Sequence, residues 1–478
     1  MKLYDSLSRE KRDFVPIAGA RGPISIYACG ITPHDHAHLG HALASIRFHM
    51  IRSYLEFSGF EVTFVQNVTD VDDKIITRAE RDRLSPREIS ERFTNEYNQA
   101  LRAFGVRRQT HEPKVSEYIP QIIVYVQELI DRGYAYAAAD GVYFDIAKKS
   151  DYGKLSGRRT DDLIAGTREE VRDQKRSALD FALWKCDEFP GASWDSPWGK
   201  GRPGWHIECS VMCNALLGKH IDIHCGGVDL LFPHHENELA QCEAHNDCPY
   251  VNYWVYSGLL NINGEKMSKS LGNFITMDDA LARYGAELVT YVAMKYHYRS
   301  PINFSDQVLD ENLNHLLDFY SAFSAAGVNN VTAADAVGDV RGHFTVAMDN
   351  DFNTPVALVG LSEALKEAEK LLNKPAAREQ GIALVKEIRA LGQVLGLFRN
   401  EYTLERFASE ALRFKAQLHG SAPISIADIS QLLKERQEAR GGRDFARSDA
   451  IRDKLASLGI GVLDSAQGST TWRFLTQH

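Results

Sequence analysis

The sequence predicts an α/β protein in which a parallel sheet is split by an insertion and followed by a helical bundle and a small C-terminal domain. Strand-like runs lie at 24–29 and 62–67, and apolar residues recur at helical spacing over 41–57 between them. Strand, helix and strand in this order form a βαβ unit, which implies a parallel sheet. Strand-like runs return only at 221–224 and 253–256, so the sheet is completed from a distant part of the chain.

The simplest arrangement is a Rossmann-type nucleotide-binding fold whose halves are separated by mixed, turn-rich sequence at 136–200. Beyond Pro301 the pattern is almost wholly helical to about 398, and the chain then closes with one helix and strand-like runs at 460–463 and 470–474. The predicted parts are a first half-sheet, an insertion, a second half-sheet, a loop region, a helical bundle and a small C-terminal domain. Their predicted boundaries, in that order, are 1–110, 111–205, 206–262, 263–300, 301–411 and 412–478.

Composition excludes several classes of protein. The 478 residues are 44% hydrophobic and 25% charged, and no apolar run approaches the ~20 residues that span a bilayer. The charged start has no signal core, so we expect a cytoplasmic protein that does not bind a membrane. Seven cysteines in an odd, clustered set favour free thiols over disulfides. The net charge of −9 argues mildly against nucleic acid, although a local basic face is enough to bind it.

The first motif is His38, Leu39, Gly40 and His41, at the start of the helix that follows the first strand. A helix N-terminus attracts phosphate, imidazoles can donate hydrogen bonds to it, and a glycine allows close approach. Ordinary histidines near a helix start are the alternative. That alternative is weakened by further histidines at 34 and 36, and by the position at the carboxyl end of a parallel strand, where ligands bind.

The second motif is Lys266, Met267, Ser268, Lys269 and Ser270, which suits a mobile clamp on phosphates. Such a run by itself is more often a solvated surface loop. Together, on the two halves of a split nucleotide fold, the two motifs resemble the HIGH and KMSKS signatures of class I aminoacyl-tRNA synthetases, with leucine in place of the HIGH isoleucine.

A third group of residues is typical of a metal site. His234 and Glu238 are spaced i and i+4, so both can reach one ion from the same helix face. Softer ligands would be cysteines, and spacing does not choose among Cys29, Cys209, Cys213, Cys225, Cys242 and Cys248. Alternatively, the histidine belongs to a polar helix start, and Cys209 and Cys213 are small buried apolar residues, an interpretation we keep for Cys213.

Beyond the two signatures, the chain resembles the cysteinyl-tRNA synthetase family over nearly its whole length. The resemblance is carried by YACGIT at 27–32, TDVDDK at 69–74, GRPGWHIECS at 201–210, DIHCGG at 222–227, DLLFPHHENE at 229–238, DFNTP at 351–355 and GSTTWR at 468–473. It implies ligation of L-cysteine to tRNA(Cys) with ATP and Mg²⁺, catalysed by a monomer with a DALR-like helical bundle and a C-terminal anticodon-binding domain.

The resemblance also implies a role for individual residues. Zinc would be held by Cys29, Cys209, His234 and Glu238, and would bind the substrate thiolate. The cysteine pocket would be lined by Thr69, Trp205 and His224. ATP would be contacted by Gly30, His38, Gly40, His41, Asp229, Lys266, Ser268, Lys269 and Ser270, with the two histidines and two lysines catalytic.

Departures from the family are small, and rival functions are less well supported. Cys225 and Val228 stand where the family more often has glycine and serine. Relatives that ligate cysteine to an amino sugar generally lack the carboxylate matching Glu238 and a full C-terminus, and silent paralogues usually lose a signature histidine or lysine. In the C-terminal part, basic residues between Lys434 and Lys454 predict a modest phosphate-binding face, with an ordinary solvated helix as the alternative. Trp472 could stack on an anticodon base or close the small domain's core.

Overall fold

The structure is a computed structural model that describes residues 1–20, 22–158, 175–268, 271–464 and 470–476. The chain forms two compact units, which are described in turn. The first comprises Met1–Arg102, Arg107–Leu259 and Asp349–Asp351, and the second comprises Ala103–Val106, Leu260–Met348 and Phe352–His478.

A parallel sheet forms the core of the first unit. After a short hairpin of β1 (Lys2–Asp5) and β2 (Glu10–Asp13), its strands are β3 (Ile24–Ile31), β4 (Val62–Val68), β9 (Ile221–Gly227) and β10 (Val251–Ser257), in the order β10, β9, β3, β4. All neighbouring pairs are parallel, and Tyr27 of β3 lies opposite His224 of β9. The strands are almost wholly buried, as expected for a sheet covered on both faces. The predicted split parallel sheet is confirmed.

Helix α1 (Leu39–Phe57) connects β3 to β4 and begins before the predicted residue 41. Leu39 is fully buried and extends the apolar stripe of the helix toward its N-terminus. His38 has an extended backbone, and its N–H donates to the Nδ1 of His41 at 3.2 Å. The ring of His41 thus accepts a bond from the residue that caps the helix, which stabilises this starting point.

The sequence between the two half-sheets contains helices and a second sheet. The helices are α2 (Asp73–Asp82), α3 (Pro86–Ala103) and α4 (Ile119–Asp131). The antiparallel sheet has the strand order β5 (Ala135–Ala138), β6 (Gly141–Phe144), β7 (Phe181–Lys185) and β8 (Arg202–Pro203). The sequence analysis described residues 136–200, where most of this sheet lies, only as mixed and turn-rich. Strands of two to five residues are too short to show alternation. Two buried helices, α5 (Trp205–Leu217) and α6 (Glu236–Asn246), flank β9 in sequence.

The second unit is mainly helical, as predicted. It contains a small sheet of β11 (Leu260–Ile262), β12 (Glu265–Lys266) and β13 (Ile302–Phe304), in the order β12, β11, β13. Its helices are α7 (Met277–Tyr284), α8 (Ala286–Lys295), α9 (Asp306–Ala326), α10 (Asp339–Met348), α11 (Thr354–Leu372), α12 (Arg378–Val394) and α13 (Leu404–His419). Leu313, Leu316 and Leu361 are fully buried at the centre of this apolar core.

The C-terminal part of the second unit has two helices where the sequence analysis predicted one. Helix α14 (Ile426–Gly441) and helix α15 (Phe445–Ser457) precede an antiparallel hairpin of β14 (Ile460–Asp464) and β15 (Thr470–Phe474). The break arises because Arg443 has a left-handed backbone and the side chain of Asp444 caps α15 by accepting from the N–H of Arg447. No helix within the described ranges is both long and apolar enough to cross a membrane.

Candidate metal and substrate site

The four predicted metal ligands come together in the first unit, although they are far apart in the chain. Cys29 lies near the carboxyl end of β3 and Cys209 in α5, while His234 lies in the π-helical turn Leu231–His235 that leads into α6 and Glu238 lies in the first turn of α6. The Sγ of Cys29 is 3.7 Å from that of Cys209, 3.4 Å from His234 Nε2 and 3.3 Å from Glu238 Oε1. His234 Nε2 is 3.7 Å from Cys209 Sγ and 2.9 Å from Glu238 Oε1. We call these four residues the four-ligand cluster.

The donor atoms of the four-ligand cluster fit one tetrahedral zinc ion. Zinc binds sulfur at about 2.3 Å and nitrogen or oxygen at about 2.0–2.2 Å, so the edges of its tetrahedron measure roughly 3.3–3.8 Å. Of the distances above, only that between the hydrogen-bonded His234 and Glu238 is shorter. Three of the four side chains are buried and Cys29 is partly buried. Two thiols, an imidazole and a carboxylate form a donor set that suits zinc.

The remaining cysteines are separate from this cluster. Cys213, Cys225 and Cys242 are buried and Cys248 is partly buried. None of them belongs to the four-ligand cluster or to the second group of metal-donor atoms among the described residues, which is Cys29, His224, His235 and Glu238. The interpretation of Cys213 as a small buried apolar residue therefore agrees with its position.

Two further histidines, His224 and His235, share the cluster's edge. His224 Nε2 lies 3.0 Å from Glu238 Oε2, the oxygen that does not face His234. His235 Nε2 lies 3.3 Å from Cys29 Sγ, and its Nδ1 bonds the hydroxyl of Tyr256 at 2.9 Å. Such contacts fix the orientation of metal ligands and tune their basicity.

Two residues that the sequence analysis did not assign support this arrangement. The Nδ1 of His206 lies 3.0 Å from the Nδ1 of His234, so it holds the ring nitrogen opposite the cluster. A Cβ at Gly226 would collide with the ring of His235, so glycine is needed there for the helix start to approach β9. His235 stands next to a predicted ligand in the sequence, but spacing alone could not show that its side chain also lies beside Cys29.

The charges within the four-ligand cluster balance one another. The hydrogen bond from Cys29 lowers the pKa of the Cys209 thiol to about 6, whereas burial raises the pKa of the Cys29 thiol. Burial alone would lower the pKa of His234, but the neighbouring Glu238 carboxylate and Cys209 raise it to about 10. Burial opposes ionisation of Glu238, yet His224 and His234 hold its pKa well below the usual range. A metal would therefore replace the proton on His234 as it binds.

The predicted cysteine pocket adjoins the cluster. The Trp205 ring stacks on that of His234 with centroids 4.2 Å apart, and its side chain is 40% exposed. Thr69 is buried, and its Oγ1 accepts from the Nδ2 of Asn67 at 3.2 Å. The predicted pocket residues Trp205 and His224 thus both contact a metal-ligand side chain.

Asn67 is a buried polar residue beside the cluster that the sequence analysis did not single out. Its Oδ1 accepts from the N–H of Gly30 at 2.9 Å and lies 3.7 Å from Cys209 Sγ. A Cβ at Gly30 would collide with the backbone carbonyl oxygen of Asn67, so strand packing alone requires glycine at that position. Asn67 lies inside an apolar strand, and only its polarity there gave any signal.

Three of the predicted nucleotide-contacting residues of the first unit, His38, Gly40 and His41, lie at the start of α1. The rings of His38 and His41 stack with centroids 3.7 Å apart, and Gly40 is partly buried in the first turn. Burial lowers the pKa of His41 to about 3, and His38 adds to this effect, so His41 is neutral at physiological pH. Because its Nδ1 accepts from the N–H of His38, its Nε2 carries the proton and can donate. Asp229 is exposed beyond the end of β9.

The predicted residues of the second motif lie in the second unit. Lys266 is exposed at the end of β12, and the N–H of Ser268 donates to Asn273 Oδ1 at 2.8 Å. The Nδ2 of Asn273 donates to the carbonyl of Lys266 at 3.3 Å, which makes Asn273 an organiser of this loop that the sequence analysis did not identify. Lys269 and Ser270 lie outside the described residues.

Three family models match the chain in sequence. The model described as tRNA synthetases class I (C) catalytic domain matches residues 16–314. The DALR domain matches 343–399, and the cysteinyl-tRNA ligase anticodon binding domain matches 426–473. The first match alone covers more than half of the 478 residues.

Curated relatives and solved structures agree with these matches. A cysteine--tRNA ligase from Geobacter sulfurreducens is 44% identical, and one from Coxiella burnetii strain RSA 493 is 42% identical, each alignment covering 99% of both chains. In structure, the chain is similar to Mycobacterium tuberculosis methionyl-tRNA synthetase, with a TM-score of 0.56 at 14% identity over 84% of this chain and 94% of the other. A putative Campylobacter jejuni arginyl tRNA synthetase gives 0.54 at 12% identity over 80% and 95%.

At such low identity, the structural likeness establishes the fold alone, which is that of class I aminoacyl-tRNA synthetases. The family models and the full-length relatives establish more than the fold. The chain belongs to the cysteinyl-tRNA ligase family of class I aminoacyl-tRNA synthetases.

Proposed function

We propose that the protein activates L-cysteine with ATP and transfers the cysteinyl group to the 3′ end of tRNA(Cys), releasing AMP and pyrophosphate. The observation that carries the proposal is the four-ligand cluster, which contacts Trp205 directly and Thr69 through Asn67, in a chain of the cysteinyl-tRNA ligase family. A thiol is the one functional group that separates cysteine from serine and alanine. A soft metal site beside the amino-acid pocket recognises that group directly.

We assign zinc to Cys29, Cys209, His234 and Glu238. When bound, zinc would supply a Lewis acid that favours the thiolate form of the substrate sulfur. The protein's own contribution is to orient the ligand side chains and to exclude water from them. His206 and His224 hold His234 and Glu238 in place, and Trp205 covers the outer face of the His234 ring.

Selectivity follows from this chemistry. A pocket that senses size alone discriminates by only ~1–3 kcal/mol per small group, which is too little to separate cysteine from serine. The hydroxyl of serine is a harder and far less acidic donor, and alanine offers no ligand. We therefore propose that no editing domain is needed, and the predicted insertion at 111–205 has no such role.

Adenylate formation needs alignment and charge neutralisation more than a general base, since the attacking carboxylate is already ionised. We assign ATP to the start of α1, where Gly30 and Gly40 would allow close approach and Asp229 would contact the nucleotide. His38 and neutral His41 would donate hydrogen bonds to the phosphates, with Mg²⁺ entering bound to ATP. Lys266, Ser268, Lys269 and Ser270 would supply the remaining donors and positive charge.

The tRNA is assigned mainly to the second unit. We propose that residues after α13 bind the anticodon. We also propose that the two half-sheets and the loop region bind cysteine and ATP, as their motifs predict. The predicted boundary at 412 lies within α13, so the small domain is better separated after Gly420, the cap of that helix. We further propose a monomer that acts in the cytoplasm, which sedimentation of the purified protein and cell fractionation would check.

The experiment is cysteine-dependent exchange of pyrophosphate into ATP, followed by charging of purified tRNA. Zinc content is determined by elemental analysis, and exchange is compared for cysteine, serine and alanine before and after chelation. We expect exchange with cysteine alone, its loss on chelation and its return with zinc. Zinc-free enzyme that still rejected serine by several orders of magnitude would contradict the metal's role. Transfer of cysteine to an amino sugar but not to tRNA would contradict the acceptor.

A further inference from the structure

The last strand of the chain is attached to helix α9 by polar side chains at regular spacing. Asp310, Asn314 and Asp318 are four residues apart on α9, so they share one face of the helix. Asn314 and Asp318 contact the segment from Arg473 to Leu475 directly. Asp310 is connected to the same segment through Lys415. A polar stripe on one face of a helix is usually solvated, whereas this one is occupied by another part of the second unit.

Asn314 makes the most specific of these contacts. Its Nδ2 donates to the carbonyl of Phe474 at 2.8 Å, and its Oδ1 accepts from the N–H of Phe474 at 3.0 Å. One amide side chain thus satisfies both backbone groups of a single residue, as a neighbouring strand would. The ring of Phe474 is buried, which fixes the same residue from its other side.

Lys415 of α13 adds a buried charge to the attachment. Its Nζ donates to Asp310 Oδ1 at 2.7 Å, with the two side chains 0% and 1% exposed, and it also donates to the carbonyl of Leu475. The N–H of Leu475 donates to Gly459 at 2.8 Å. A Cβ at Gly459 would collide with Lys415 and His419, so the turn before β14 packs directly on α13.

Arg473 completes the set at the surface. Its Nη2 lies 2.8 Å from both carboxylate oxygens of Asp318, and each side chain is 43% exposed. The other faces of α9 contact α8, where Lys295 donates to Asn312 at 2.8 Å and Tyr291 bonds His315 at 3.3 Å. The hairpin is therefore linked through α9 to the helices that follow the second motif.

We propose that these contacts form a latch that holds the C-terminal hairpin in one orientation for tRNA, and that its members are positioning residues for the charging step. The latch consists of Asp310, Asn314, Asp318 and Lys415 on the helices and Arg473, Phe474 and Leu475 on the strand. The inference rests on the proposed function. Phe474, Leu475 and the helix residues all lie outside the match to the anticodon-binding family model.

The physical role of the latch is preorganisation. A hairpin free to rotate on its linker would lose that freedom when tRNA binds, and the loss would weaken binding. Amino-acid activation is assigned to residues of the first unit and of the second motif, and none of these residues belongs to the hairpin. Loosening the latch therefore raises the KM for tRNA and leaves pyrophosphate exchange unchanged.

The first test compares Asn314→Ala with Glu311→Ala, a neighbouring exposed residue of α9 whose hydrogen bond is to Gln307 rather than to the hairpin. Loss of the two bonds to Phe474 is expected to raise the KM for tRNA about tenfold, with kcat and pyrophosphate exchange within about twofold of wild type. Glu311→Ala is expected to change none of the three. An unchanged KM in Asn314→Ala, or a parallel fall in exchange and charging, would overturn the proposal.

The second test is a charge swap that separates holding the hairpin from touching RNA. Arg473→Asp and Asp318→Arg are each expected to raise the KM for tRNA, and the double variant to restore it to within about threefold. If Arg473 instead bound a tRNA phosphate, the double variant would remain as weak as Arg473→Asp. That result would remove Arg473 and Asp318 from the latch.

The third test needs no activity. Hydrogen exchange of the hairpin amides at 460–464 and 470–475 is expected to accelerate about tenfold in Asn314→Ala relative to wild type, while amides of β3 do not change. Equal protection in both proteins would overturn the latch whatever the enzyme does. Conversely, absence of cysteine-dependent exchange in wild type would refute the proposed function and leave this measurement valid.

Discussion

Two carboxylates, one in each unit, differ in the kind of side chain that hydrogen-bonds to them. Glu238 in the first unit is fully buried and lies between His224 and His234. Asp464 in the second unit is 35% exposed and accepts from Arg436 at 2.8 Å through both oxygens, from Arg440 and from Thr470. The first carboxylate has imidazoles and thiols as neighbours, whereas the second has permanent guanidinium charges.

The difference indicates what each group is for. A buried carboxylate whose partners can all lose a proton is ready to bind a metal, since every neighbour can become a ligand or support one. A carboxylate shared by two arginines is already neutralised and holds a hairpin to its helix. Asp464 also pairs with Arg436 and Arg440, two residues of the basic face predicted for phosphate, and Arg447 pairs with Glu435. That face stays a prediction.

The largest expected effect comes from changing a thiol of the buried group. Cys209→Ser should lose zinc and reduce cysteine-dependent pyrophosphate exchange by more than about a hundredfold, since even outer contacts of metal sites are worth 10–100-fold. Cys213→Ala, one turn further along α5 and also buried, is the matched control and should retain both. Zinc content and exchange rate are measured together. Full zinc content in Cys209→Ser would mean that the cluster does not hold the ion.

Removing the C-terminal part that contains Asp464 should impair tRNA charging but not amino-acid activation. Truncation after Gly420 keeps Lys415 paired with buried Asp310, so α13 stays intact. We expect pyrophosphate exchange within about threefold of wild type and tRNA charging lower by at least about thirtyfold, as for loss of an interface worth more than about 2 kcal/mol. Charging at the full rate would place anticodon recognition elsewhere.

Neutralising the buried carboxylate should matter less than losing the thiol. Glu238→Gln should weaken zinc binding and cysteine activation by about 10–100-fold if three ligands retain the ion. Glu243→Gln serves as the control, because this glutamate is on the same helix but pairs with Lys149 and Lys154. Zinc affinity is measured by competition with a chromogenic chelator. An effect of Glu243→Gln equal to that of Glu238→Gln would indicate general loss of packing in α6.

The equivalent change in the exposed group should be smaller still. Asp464→Asn should lower the free energy of unfolding by about 1 kcal/mol, because partly exposed ion pairs are screened by water. Arg436 holds the pKa of Asp464 below its usual range, so this contribution is present above the unfolded pKa and is lost as the pH falls. Thermal unfolding at pH 7, with Asp449→Asn on α15 as the control, checks the value. A loss above about 3 kcal/mol would mean that the group behaves as a buried one.

The smallest effect is expected from the pH dependence of His41. Burial lowers its pKa to about 3, so its stabilising contribution is complete above the ordinary histidine pKa of about 6.5 and is lost as the pH falls toward 3. Between pH 5 and 8 its ring should stay neutral, and exchange should show no inflection from it. Imidazole NMR shifts during a titration measure this directly. A midpoint near 6.5 would show that the ring is not desolvated.

The sequence predicted those parts of the site that depend on local spacing. The i, i+4 pair of His234 and Glu238 was readable because one helix sets their distance. The choice of Cys29 and Cys209 came from family resemblance, since their approach depends on the pairing of β3 with β9 and on the packing of α5. His206 and Asn67 could not be predicted, because each acts through a side chain that another element brings to it.

The fold, too, was predictable where the sequence pattern is long and local, and was missed where it is short or depends on a single backbone conformation. The parallel sheet was predictable because its buried strands are long apolar runs. The sheet of β5 to β8 was missed because its strands are short, and the break between α14 and α15 because it depends on the left-handed backbone of Arg443 and the cap from Asp444. Asp464, which organises the small domain, gave no signal, since its arginine partners lie on a different element.

The wide separation of the metal ligands in the chain bears on how the protein is made. Cys29 and Glu238 meet although 209 positions separate them. During synthesis, the segment carrying Cys29 leaves the ribosome long before α5 and α6 exist, so β3, β4 and α1 emerge before the proposed metal site can be complete. Binding of the proposed ion by all four ligands is therefore a late step, because it requires that α5 and α6 have been synthesised. Under the zinc assignment proposed above, we expect zinc scarcity in a cell to reduce the amount of metal-loaded enzyme.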